Sequence, residues 1–252
     1  MTVRELYTRL CEKIPTALSE SWDNDGVMCC PDPEKSVKKV LLALDVTDDV
    51  VSHALEVGAD LIISHHPLVF VKLSSLTTDD PVGGRLIRLV QAGVSVFSFH
   101  TRFDRMEGGV NDVLAGALGL IEVEPLGEGE ASLGRIGTLP SEMSLADFAE
   151  KVKKALGVPC VQALDASRPV HRVAVVGGAG KDFVDTARLA GADTYLSGNL
   201  GYHVMQDCAI NLLEAGHYFT ERPSVAALMH LVNDVLPEAK TEIYTPNPLT
   251  LY

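Results

Sequence analysis

Between Val37 and Pro67 the chain alternates two kinds of text. An apolar run, Val40 to Val46, gives way to a stretch that opens Thr47-Asp48-Asp49 and carries helical spacing, and a second apolar run follows from Leu61 to Ser64. Runs so uniformly apolar predict strands of a parallel sheet covered on both faces, here joined by a helix. Thr47 is placed to cap that helix, Asp48 and Asp49 suit the positive end of its dipole, and Gly58 is placed to end it.

The same sentence is written a second time. A shift of 133 aligns Val40 with Val173, Asp49 with Asp182, Val51 with Val184, Ala54 with Ala187, Gly58-Ala59-Asp60 with Gly191-Ala192-Asp193 and Ser64 with Ser197, without a gap. Identities that coincide with matching strand and helix patterns predict an internal duplication, so residues 40–64 and 173–197 should form equivalent βαβ units. The fold class expected is α/β, two similar α/β domains with a metal site in the cleft between them.

Elsewhere, Met1 to Ile14 reads as an amphipathic helix, and Ser144 with Asp147 marks a helix start whose end lies near Gly157. The Gly- and Glu-rich stretch Glu122 to Gly137 reads as a linker. The expected division is therefore 1–125 for the first domain and 126–252 for the second.

The chain has 252 residues, 46% hydrophobic and 22% charged, with a formal net charge of -13. That balance argues against a general grip on nucleic acid or anionic lipid, which needs clustered Lys and Arg. No apolar run reaches transmembrane length. Five cysteines, at 11, 29, 30, 160 and 208, form no CxxC pair and read as reduced thiols of a cytoplasmic protein.

Ligands of α/β sheets bind beyond the carboxyl ends of parallel strands, so polar residues just after apolar runs are the candidates. His65-His66 follows Leu61 to Ser64, His100 follows Val94 to Phe99 and precedes Asp104, and His217 follows Ile210 to Gly216 and precedes Glu221. The last two share the form His-x3-acid at what look like matching positions of the halves. Imidazole and carboxylate suit two divalent ions, Zn, Fe, Mn or Co, and six such groups exceed what one tetrahedral ion needs, so Glu221 or Asp104 is expected to bridge. His53, His171 and His230 read as structural, while His203 could line the cleft. Gly177-Gly178-Ala179-Gly180-Lys181 lacks the spacing of a phosphate-binding loop and reads as a tight strand-to-helix turn. Ser64 and Ser197 lack a nucleophile elbow, and no covalent nucleophile is evident.

Trp22-Asp23-Asn24-Asp25-Gly26, Ser64-His65-His66-Pro67-Leu68, His100 through Asp104 with Gly108-Gly109-Val110-Asn111-Asp112, and Gly216-His217 through Glu221 together resemble the Nif-three-like family over nearly the whole chain. Its members are often labelled GTP cyclohydrolase I type 2 homologues. The resemblance implies two similar α/β domains, a dinuclear metal centre, a toroidal homohexamer, and metal ligands at His65, His66, Asp104, His217 and Glu221. It leaves His100 beside the ligands or in acid/base work. Asp25 stands where the family usually has an apolar residue, and the chain resembles the short form without an inserted domain.

Two functions follow as expectations. One is a metal-dependent hydrolase acting on a nucleotide or another small phosphorylated or cyclic substrate, with no membrane or general nucleic-acid partner. The alternative is a non-catalytic metal-binding protein with a regulatory or scaffold role.

Overall fold

The computed structural model describes residues 1–127 and 132–250. Its first half runs α1 (Val3–Lys13), β1 (Gly26–Cys29), β2 (Lys39–Ala43), α2 (Asp48–Glu56), β3 (Leu61–Ser64), α3 (Pro81–Ala92), β4 (Ser95–Ser98) and α4 (Thr101–Arg105). Then come α5 (Val110–Ala117), β5 (Ile121–Pro125), β6 (Arg135–Met143), α6 (Leu145–Leu156), β7 (Gln162–Leu164), β8 (Val170–Ala179), α7 (Val184–Leu189), β9 (Thr194–Asn199), β10 (Asn211–Glu214) and α8 (His217–Glu221). The chain closes with α9 (Ser224–Val235) and β11 (Lys240–Ile243). Two units result, 1–103 with 225–252, and 104–224.

The first unit holds a sheet of order β1-β4-β3-β2-β11, parallel except for β1. The expected helix is built as its residues dictate. Thr47 accepts a hydrogen bond from the Val50 amide, and Gly58 ends the helix at φ 67°, a left-handed value that costs a glycine little. Leu41, Ala43, Ile62 and Val96 pack against Val50, Val51 and Ala54 of α2 and Leu89 of α3. Their neighbours Val40, Leu42, Leu61 and Ile63 are just as buried on the other face, which is why no polar alternation is visible. The amphipathic α1 is closed by a capping box between Thr2 and Glu5.

The second unit holds a sheet of order β5-β6-β8-β9-β10-β7, in which β8, β9 and β10 run parallel. Val173 and Val175 face a cluster with Leu114, Phe148 and Val152, whereas Ala174 and Val176 face one with Ala187, Tyr195 and Leu212. Ser144 caps α6, and Gly157 ends it in the left-handed region.

The duplication is visible bond by bond. Val40 pairs with Leu61 as Val173 pairs with Thr194, 133 residues later. The Asp60 carboxylate accepts from the amides of Lys38 and Lys39, and that of Asp193 accepts from His171 and Arg172. Gly191 ends its helix as Gly58 does, at φ 82°. The match extends to the third strand with a shift of 116, because the first unit inserts α3: Leu61 pairs with Ser95 as Thr194 pairs with Asn211.

Two expectations are corrected. The supposed linker Glu122 to Gly137 contains most of β5 and the start of β6, which pair antiparallel; its residues 128–131 lie outside the described ones. β5 is an exposed edge strand, paired to β6 through its backbone and tied to Arg172 through Glu124, so it carries no periodic apolar signal. The tail expected in the second domain instead returns to the first sheet, where β11 runs parallel to β2 with Thr241 opposite Val40.

Asp25, at the position where the resemblance leads one to expect an apolar residue, has a partner. Arg102, fully buried, forks onto it with Nε–Oδ2 of 2.9 Å and Nη2–Oδ1 of 3.1 Å, while its guanidinium lies 4.8 Å from the Phe99 ring centroid. Removing one partner strands a buried charge, so Asp25→Ala should cost about 3 kcal/mol in urea unfolding, and Asp25→Ala/Arg102→Leu should recover most of it. Equal losses in the single and double variants would refute this.

Candidate metal centre

Each unit carries its own set of donors at the carboxyl ends of its parallel strands. In the first unit, His65 and His66 leave β3 directly, with His65 fully buried, and His100 follows β4 by two residues. Extended neighbours would point to opposite sides, but the chain turns here: the Ser64 hydroxyl donates to the His66 carbonyl at 2.7 Å, and the His65 and His66 rings stand 4.9 Å apart. His65, His66 and His100 offer ring nitrogens that all lie within 4.8 Å of one another.

Each imidazole is oriented through Nδ1. That of His65 lies 2.9 Å from the Phe99 carbonyl, that of His66 2.7 Å from Asp45 Oδ1, and that of His100 2.8 Å from Asp23 Oδ1. A carbonyl or carboxylate only accepts, so Nδ1 carries a hydrogen in all three rings, and in the neutral ring Nε2 keeps its lone pair. This arrangement, with the remote nitrogen tied to an oxygen, is how proteins orient histidines for metal. Asp23 also accepts from the Thr101 amide and hydroxyl, at 3.1 and 2.7 Å. Burial pushes its carboxyl up, but hydrogen bonds from His100 and Thr101 outweigh burial and hold its pKa at about 2.

In the second unit the donors are Asp104, His217 and Glu221. His217 opens α8 and Glu221 stands one turn later on the same side, with His217 Nε2 3.1 Å from Glu221 Oε2. The Asn199 side-chain oxygen lies 2.9 Å from His217 Nδ1, so the hydrogen is again on Nδ1. A neutral imidazole then aims a lone pair at a carboxylate oxygen, a geometry that calls for a shared cation, either a proton or a metal ion. Asp104 and Glu221, both buried, offer oxygens within 4.8 Å of one another.

Glycines make room for this set. Gly178 has φ 64°, and a Cβ there would overlap Glu221 Oε1 and come within 2.9 Å of His217 Nε2. The Gly177 amide donates to Asn111 Oδ1 at 2.8 Å, and Asn111 Nδ2 donates to the Asp104 carbonyl at 3.1 Å. The Gly177–Gly180 segment therefore ends a strand and leads into a short helical turn, as its spacing predicts, and cradles a carboxylate.

The two His-x3-acid groups are not equivalent positions. Phe99 donates to the Ser64 carbonyl as Ala215 donates to that of Ser197, so His100 corresponds to Gly216 and His217 to Thr101. The shared spacing is displaced by one residue, and only His217 begins its helix. His203 is exposed, contacts Gln206, and joins none of the donor groups among the described residues. His53 pairs with Glu242 at 2.6 Å. Asp45, two residues past β2, escaped notice even though its position just after an apolar strand is the signal used for the histidines.

All the donors are imidazole nitrogens and carboxylate oxygens, a set that fits borderline divalent ions. Among the described residues no helix is long and apolar enough to cross a membrane.

Known proteins share this chain's pattern. The family model described as Duf34/NIF3 (NGG1p interacting factor 3) matches residues 1–248. A protein of Clostridium perfringens named GTP cyclohydrolase 1 type 2 homolog is 35% identical over 245 residues, covering 94% of this chain and 93% of its own length. One of the same name from Clostridium acetobutylicum is 32% identical, with 98% and 94% covered. A hypothetical protein of Staphylococcus aureus of solved structure is 26% identical, superposes with a TM-score of 0.92, and covers 100% of this chain and 99% of its own.

Two measurements test the assignment. Glu221→Ala should lower metal content by elemental analysis more than His100→Ala does, and full retention in both would remove Glu221 from the ligand set. Because the Asp23 carboxyl titrates lower folded than unfolded, its stabilisation is present above about pH 4 and lost as pH falls towards 2. Asp23→Asn should therefore cost about 1–2 kcal/mol at neutral pH and flatten that part of the stability curve.

Proposed function

The chain belongs to the Duf34/NIF3 family, and from that premise we propose that it is a metal-dependent hydrolase of a nucleotide or another small phosphorylated or cyclic substrate. The observation that carries the reading is the common tautomer: His65, His66 and His100 all have Nδ1 engaged by an oxygen acceptor, leaving Nε2 for a ligand or a proton. The proposed ligands are His65, His66, Asp104, His217 and Glu221, which would hold two divalent ions. When bound, divalent ions would supply Lewis-acid polarisation of the substrate and make water a better acid near neutral pH.

The remaining work belongs to the chain. His66 is kept in one ring orientation by Asp45 and His65 by the Phe99 carbonyl, so neither spends substrate-binding energy on reorganisation. His100 takes the proton from the attacking water at Nε2 and returns it to the leaving group. Asp23, ionised and held by Thr101 as well, stabilises the imidazolium in between. No Ser or Cys takes part in a covalent step.

The name of the Clostridium relatives suggests GTP as one substrate to include. The family description's wording, "interacting factor", favours as a second reading a metal-dependent partner-binding role, which a site without turnover would fit. Metal-loaded protein should hydrolyse at least one member of a panel of nucleotides, phosphodiesters and cyclic amides. His100→Ala should lower kcat by about 10²–10⁴ with metal content kept. No turnover across the panel would favour the second reading.

A further inference from the structure

In the first unit Phe97, Phe99 and Phe103 are fully buried. Trp22 and Phe70 are 62% and 52% exposed, and both stand beside His100. The Trp22 and Phe70 ring centroids are 6.2 Å apart at 75°; Trp22 and His100 are 6.5 Å apart at 80°, and Phe70 and His100 6.1 Å apart at 90°. Three mutually near-perpendicular rings make the walls of a corner. Two walls are apolar, and the third is the imidazole whose Nδ1 is tied to Asp23.

The corner is also braced. Asn24 Nδ2 donates to the Val69 carbonyl, joining the loop that carries Trp22 to the loop that carries Phe70, and the Asn24 amide donates to Asp23 Oδ1 at 2.8 Å. The residue that orients His100 thus sits in the same short segment as Trp22. Large apolar side chains exposed together at the edge of a polar site are a common part of a small-molecule pocket. Aromatic faces with an edge-on neighbour select flat π systems over aliphatic groups, because a planar ring can stack on one wall and present its edge to the other.

The geometry points to Trp22 and Phe70 as the ring-binding corner of the site, taking a planar nitrogen heterocycle of the nucleobase class and presenting its edge to His100. The inference rests on the hydrolase reading for its substrate class and adds the residues that recognise the ring. A substrate lacking such a ring would leave both aromatics without a role.

Trp22 is the chain's one tryptophan, so its emission reports directly on the corner. Metal-loaded full-length protein is titrated with each of the four common nucleoside 5′-monophosphates and, as a control, with ribose 5-phosphate, which keeps the phosphate and sugar but lacks the ring. At least one nucleotide should quench the emission saturably, and ribose 5-phosphate should not. Phe70→Leu, read by the same emission, and Trp22→Leu, read by calorimetry, should each weaken that nucleotide by about tenfold. Light scattering should show the mass of both variants unchanged. Quenching by none of the nucleotides, equal binding of ribose 5-phosphate, or unaltered affinity in both variants overturns the inference. A change of mass does so too, since it would assign the pair to contact between copies. The hydrolase reading fails separately: a nucleotide that binds the corner without turnover leaves the corner standing, and turnover of a ring-free substrate without quenching removes the corner alone.

Discussion

Three parallel strands paired in one register, present once in each unit, set where the histidine donors emerge. With Val40 opposite Leu61 and Leu61 opposite Ser95, the strands β2, β3 and β4 end level, and Asp45, His65-His66 and His100 leave the sheet from that end. In β8, β9 and β10 the same register brings Gly178, Asn199 and His217 together. Slipping one strand by a single residue would turn its side chains to the opposite face and scatter the set.

Within that frame the chemistry depends on hydrogen-bond acceptors one step behind the donors. The Phe99 carbonyl, Asp45, Asp23 and the Asn199 amide oxygen each occupy an Nδ1, so four imidazoles share one tautomer. Asp23 holds its charge against burial through hydrogen bonds from His100 and Thr101. An ionised carboxylate on Nδ1 suits the acid/base role proposed for His100.

The duplicated frame has been specialised in its loops. The first unit inserts α3 and brings three histidines, His65, His66 and His100, together. The second shortens the same connection, uses glycine at 178 and 198, and so admits a buried carboxylate against the backbone. The one-residue displacement between His100 and His217 shows that similar donors need not descend from equivalent positions. The Asp25–Arg102 pair shows a local departure absorbed by a partner 77 residues away.

The βαβ repeat was legible in the sequence because it is written in local terms: apolar runs buried on two faces, Thr47 as a cap, Gly58 and Gly191 as stops. The histidines and acids stood out for the same reason, as polar residues directly after such runs. What tertiary structure alone decided depends on pairing between distant segments. β5 and β11 have few buried apolar side chains and are held by backbone bonds to partners whose identity no local pattern encodes. The roles of Asp23 and Asp45 came only with the turn of the chain that brings a carboxylate to Nδ1 across 77 and 21 residues. Exposure, too, is a tertiary quantity: only the folded chain leaves Trp22 and Phe70 in the open beside His100.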